Sequence, residues 1–153
     1  MPINFLAAGE SMRIQLLSIC LLSLPAAAAT THFTNFPVTA IYKGAPAAVD
    51  FSSLPELKQF RTVLKNGAAK GPNFAGNLTI VSWGCGTSCL AVAILSAESG
   101  KILSRLNTCG GVEYKLDSAL LIANPPDPDT IYPAGCKTEF YQWTDRQLKK
   151  IEP

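Results

Sequence analysis

Cysteine is the residue type here with the most chemistry per copy. The chain has five cysteines and one histidine in 153 residues. Cys85 and Cys89 bracket Gly86-Thr87-Ser88, and the stretch Ser82-Trp83-Gly84-Cys85-Gly86-Thr87-Ser88-Cys89 is the least ordinary in the sequence. Three kinds of chemistry suit it. A three-residue hairpin loop would bring the two sulfurs together as a disulfide staple, with Gly84 and Gly86 permitting a bulge or a positive φ. Successive amides around the glycines, with the Thr87 and Ser88 hydroxyls, could form an anion-binding nest. A cysteine nucleophile would need a depressed pKa and a partner base. The only histidine, His32, sits near the N-terminus and far in sequence from both cysteines, so Cys-His and Ser-His-Asp chemistry is disfavoured.

Other reactive types are thinner. Asp127 and Asp129 lie in a proline-rich loop, Pro125-Pro126-Asp127-Pro128-Asp129. Two carboxylates are too few for a calcium loop. Asp117-Ser118 reads as a turn former bonding its own backbone. Glu139 is a lone strand carboxylate. Paired-carboxylate hydrolysis depends on spatial pairing, on which sequence is silent. Tyr141 and Trp143 share a strand face, with Phe140 on the other. That face is either core or, if exposed, a contact surface of the kind that dominates binding hot spots. The sequon Asn77-Leu78-Thr79 has no consequence in a bacterial host.

The elements that position these residues begin with an address. Met12-Arg13 is followed by an apolar stretch through Leu24, then Pro25 and Ala26 to Ala29. A basic start, an apolar run of about 7–15 residues and a small-residue end make a secretory signal. The run is shorter than the ~20 residues a membrane span needs. Residues 1–29 are read as a signal peptide, with Met12 a better start than Met1 and Cys20 removed with the leader. Residues 30–153 are read as one disulfide-stabilised β-rich domain, periplasmic or secreted.

Four cysteines then remain: Cys85, Cys89, Cys109 and Cys136. Three pairings exist. An exported chain favours disulfides, and the spacing favours Cys85–Cys89 with Cys109–Cys136. A four-thiolate zinc site is the rival, but Cys109 and Cys136 form no second close pair. No metal and no cofactor are expected. Glu10 and Arg13 leave together, so the net charge stays +2. Without a basic stripe, nucleic acid is not an expected partner, and no membrane span is expected after the leader.

The rest reads as short strands around one helix. Residues 36–42 read as a first strand. Ser53-Leu54-Pro55-Glu56 has capping-box spacing and opens a helix over 53–66. Its apolar face is Leu54, Leu57, Phe60, Val63 and Leu64, and Asn66-Gly67 is its terminator. Strands follow at 77–83, 90–95, 101–106, 112–116, 119–123, 138–143 and 147–151. The fold class is α+β, mainly β: an antiparallel sheet or partial barrel of about 6–8 short strands, with the helix packed on a face.

Phe60-Arg61-Thr62, then Gly71-Pro72-Asn73-Phe74-Ala75-Gly76, then the 79–89 strand and turn together resemble a family of uncharacterised exported bacterial proteins. The resemblance spans about residues 60–124, including Leu116-Asp117-Ser118. It implies export but no activity. Members carry aromatic or histidine residues where this chain has Asn77 and Leu78, so a function carried there would be absent here.

The functional expectation is a non-enzymatic binding or inhibitor-like module. Its partner would be an envelope or extracellular protein or a small ligand. The contact candidates are Trp83, Gly84, Gly86, Thr87, Ser88, Tyr141 and Trp143. The alternative is a small hydrolase or thiol enzyme using Cys85 or Cys89 with nearby carboxylates.

Overall fold

Residues 90–95 run Leu-Ala-Val-Ala-Ile-Leu with no polar alternation, the pattern of a strand covered on both faces. The computed structural model describes residues 31–153; the expected leader, with Met12, Cys20 and the cleavage position, lies outside the described residues. The apolar run is β2 (Cys89–Ser96), central in a three-stranded antiparallel sheet between β1 (Leu78–Gly86) and β3 (Ile102–Thr108). A second antiparallel sheet holds β4 (Val112–Tyr114), β5 (Leu120–Ala123), β6 (Glu139–Thr144) and β7 (Gln147–Ile151), in that order. The class is α+β, mainly β, with two sheets and no closed barrel.

The period-2 alternation of β2 divides the core in two. Val92 and Ile94, with Leu78 and Ile80, meet Leu121 and Ala123 of the second sheet. Ala93 and Leu95, with Val81 and Ile102, meet Leu57, Leu64 and Ala68. The layers are therefore helix, three-stranded sheet, four-stranded sheet.

The helical segment is a 3₁₀ turn, Pro55–Phe60, running into the α-helix α1, Arg61–Ala68. The expected apolar face is the one that packs, with Leu57 and Leu64 buried and Leu54, Phe60 and Val63 beside them. The expected ends are not those formed. The Ser53 hydroxyl does not cap the helix. It donates to the Asp50 carbonyl and accepts the Ile102 amide at 2.9 Å, tying the helix entrance to β3. Gly67 does not terminate α1 but lies inside it, where a Cβ would stand 2.4 Å from Val81 Cγ2. Its missing side chain lets the helix approach β1. The left-handed residue that follows the helix is Gly71, at φ +84°.

Residues 36–42 form no strand. They make one isolated bridge, Pro37 to Ser118, and then strap across the turns: the Val38 amide donates to Asp117 and that of Tyr42 to Gly76, both at 2.9 Å. Pro37 lacks the amide that a regular ladder requires.

The Gly71–Gly76 string is a clasp that starts β1. The Asn73 side chain accepts the Ile80 amide at 2.7 Å and donates to the Ile80 carbonyl at 3.0 Å, imitating a neighbouring strand. The Thr79 hydroxyl donates to Gly71, and Phe74 is fully buried. Ala75 and Gly76, both at positive φ, turn the chain so that the Gly76 amide reaches the Leu116 carbonyl at 2.7 Å. A motif unusual enough to suggest chemistry is explained here by backbone satisfaction.

Candidate functional site

A small residue flanked across a sheet by larger ones leaves a depression. On the helix-covered face, Trp83 of β1, Ala91 of β2 and Asn107 of β3 lie side by side. The next row places Arg105 opposite Ala93. Ala91 on the central strand thus lowers the floor between an indole, an amide and a guanidinium. The 3₁₀ turn closes the remaining side with Leu57, Gln59 and Phe60. The result is a cavity of about 240 Å³, with Cys85 at its edge.

The cavity has an apolar body and a polar rim. Phe60 and Trp83 stack with ring centroids 4.8 Å apart at 36°, which fixes the indole as one wall. The Trp83 Nε1 is buried and has no acceptor among the described residues. A buried donor without a partner costs about 1–3 kcal/mol, so native folds seldom keep one idle. Arg105 is exposed and, among the described residues, is the only charged one lining the cavity. The ion pairs among the described residues are Lys149–Asp145 and Lys150–Glu139, so its guanidinium is unpaired there.

The hairpin above the cavity is stapled as the spacing favoured. Cys85 bonds Cys89 and Cys109 bonds Cys136, with Cα–Cα distances of 5.1 and 6.1 Å. The loop is shorter than the three residues expected: Gly86 pairs with Cys89, leaving only Thr87-Ser88 as the turn. The extra residue sits in the strand, as a bulge at Cys85 between the Gly84 and Gly86 pairings. Gly86 and Ser88 take positive φ of 139° and 50°. Gly84, Gly86, Thr87 and Ser88 are all exposed, and a Cβ on either glycine would meet nothing within 4 Å.

Of the expected contact residues, the structure brings Trp83 to the cavity, with Cys85 of the staple beside it, while the exposed Gly84, Gly86, Thr87 and Ser88 do not line it. Tyr141 and Trp143 are elsewhere, on the second sheet, packed against the inter-sheet core. The Tyr141 hydroxyl donates to Glu139 Oε2 at 2.7 Å, and Lys150 Nζ meets Glu139 Oε1 at 2.6 Å. The ammonium and the phenol hold the Glu139 carboxyl below its ordinary range. Burial first, then the bond to Glu139 and its charge, push the Tyr141 phenol up to about 12.

A wider hollow of about 430 Å³ lies against the proline loop, but its polar groups are already bonded. Asn124 Oδ1 accepts the Cys109 and Gly110 amides, and its Nδ2 donates to the Lys137 carbonyl. The Tyr132 hydroxyl donates to Pro125 and that of Thr138 to Asn124. Asp127 accepts from Thr130 and the Asp129 amide, which lowers its pKa and leaves it a turn former. This hollow is a brace for the Cys109–Cys136 bridge. The described residues contain no cluster of three or more metal-ligating side chains and no helix long and apolar enough to cross a membrane.

Sequence reasoning missed Gln59, Phe60, Ala91, Arg105 and Asn107 as site residues. The one available signal was the alternation of alanines in β2, which marks a shallow spot only when the neighbours are known. Comparison with protein-family profiles, with curated proteins and with solved structures returns no match. The class is therefore set by fold and site alone: a disulfide-stapled, two-sheet α+β protein with a small aromatic-walled pocket under its first hairpin.

Proposed function

We propose that the chain is an exported, non-enzymatic binding module whose ligand sits in the Trp83–Ala91–Asn107 pocket. The observation that carries this reading is the convergence, on one cavity, of an aromatic wall and a guanidinium that has no ion-pair partner among the described residues. Ligand sites combine an apolar lining with a few convergent polar groups. The size suits a single ring or branched side chain, below the ~300 Å³ at which drug-sized sites begin. Export is supported by the leader pattern and by two disulfides, which persist in oxidising compartments. The resemblance over residues 60–124 points the same way and adds no activity.

The thiol-enzyme alternative needs a free thiolate at Cys85 or Cys89, and these two sulfurs are bonded to each other. Thiol titration of the denatured chain without its leader separates the two readings. The binding module gives no reactive thiol; one reactive thiol in the native protein with a depressed pKa supports the enzyme. In parallel, a library of single-ring fragments is titrated while backbone and indole resonances are followed. Binding should move Trp83, Ala91 and Asn107 together. Hits confined to other surfaces would contradict the assignment.

A further inference from the structure

Granting the pocket as the binding site, we infer that its ligand is a small carboxylate with an aromatic or branched apolar body. The inference rests on which groups line the cavity. The body of such a ligand would lie between the Phe60–Trp83 pair and the Ala91 floor, where no charged group stands. Its head would reach the rim, where the sole charge among the described residues is the Arg105 guanidinium, next to the Asn107 amide.

A guanidinium presents a planar fork of donors that matches a carboxylate in two-point geometry. Among the described residues the lining holds no carboxylate, so a cationic ligand would meet a like charge at Arg105 and no counter-charge there. A neutral ligand would satisfy the apolar wall but leave the guanidinium without an anion. The recognition chemistry is shared by a free arylalkanoic acid and by the C-terminal carboxylate of a peptide ending in an apolar residue.

Anions also have a rival on this molecule. Lys58, Arg61 and Lys65 line a separate hollow with Ala48, Val49 and Phe51. That hollow has cations but, among the described residues, no aromatic pair. It would attract any anion loosely, and the test must separate it from the pocket.

The experiment uses matched pairs on the whole chain without its leader: phenylacetate against phenylacetamide, 4-methylpentanoate against its amide, and the dipeptide Gly-Phe against Gly-Phe-amide. Affinity and site are read from resonance shifts at low salt. The carboxylates should bind about tenfold tighter than their amides, the scale of one charge-assisted hydrogen bond, and should move Trp83, Ala91 and Asn107. In Arg105→Gln the acid and amide should bind equally, while the pocket shifts from the amide persist. The dipeptide pair tells the two carboxylate sources apart. Equal binding of acids and amides by the parent would overturn the carboxylate inference and leave the pocket standing. Shifts confined to Lys58, Arg61 and Lys65, or no shifts from any compound, would overturn both.

Discussion

Gly67 shows how a single missing methyl sets the spacing of two layers. Inside an exposed helix a glycine costs about 1 kcal/mol relative to alanine, so Gly67→Ala would ordinarily stabilise. Here the added Cβ would stand 2.4 Å from one Val81 methyl and 2.7 Å from the other, contacts no side chain tolerates. The helix must then move off β1, where Val81 and Leu64 share a buried cluster. Overpacking of this kind costs about 1–3 kcal/mol, which exceeds the propensity gain. The urea midpoint of Gly67→Ala should therefore fall; a rise would show that α1 does not sit as close to β1 as described. Asn73 makes the same point for polar groups, since its amide closes both backbone valences of Ile80.

The β1–β2 hairpin carries a staple whose stabilising effect should be small. A bridge between residues four apart closes little chain, so the denatured state loses little freedom. The double change Cys85→Ser with Cys89→Ser should lower stability by about 1–3 kcal/mol. Thr87→Ala and Ser88→Ala should be close to neutral in both stability and binding, because both residues are exposed and neither lines the pocket. Calorimetry against phosphate on the same variants checks the nest alternative: heat in the parent that vanishes in Thr87→Ala at an unchanged urea midpoint would return the site to the turn. At this scale the sequence was informative wherever local pattern decides. The strand over 90–95, the apolar face of the helical segment and the Cys85–Cys89 spacing were all legible. The helix ends were not, because Ser53 and Gly67 answer to partners in β3 and β1 that lie far away in the chain.

For the molecule as a whole, the two sheets are joined by a core against which the half-buried Tyr141 and Trp143 pack. Their alternation in β6 was readable; which face was covered depends on the first sheet and was not. This packing has a signature in pH. The Tyr141 phenol titrates at about 12 in the fold, against 10.0 for the free group. The folded state keeps the proton that the unfolded chain releases, so this contribution is fully present below pH 10 and is lost as pH rises toward 12. Tyr114, raised by burial, adds in the same direction. Glu139 acts oppositely: its lowered pKa contributes stability above 4.5 that is lost as pH falls. Tyr141→Phe should flatten, without abolishing, the alkaline decline of the urea midpoint. An unchanged slope would mean that the phenol is not held as described.

The pocket itself is a property of the whole molecule, since three strands and a 3₁₀ turn must converge before Ala91 becomes a floor. The most direct measurement is a paired one on Ala91→Leu, with the urea midpoint and the binding of phenylacetate by resonance shift read on the same sample. The new side chain should extend into open volume, so stability should change by less than about 1 kcal/mol, short of the ~1–3 kcal/mol typical of overpacking a filled core. Binding should fall at least about tenfold, because the bulk occupies the place of the ligand's apolar body. A variant that folds as the parent does and binds phenylacetate undiminished would contradict the account.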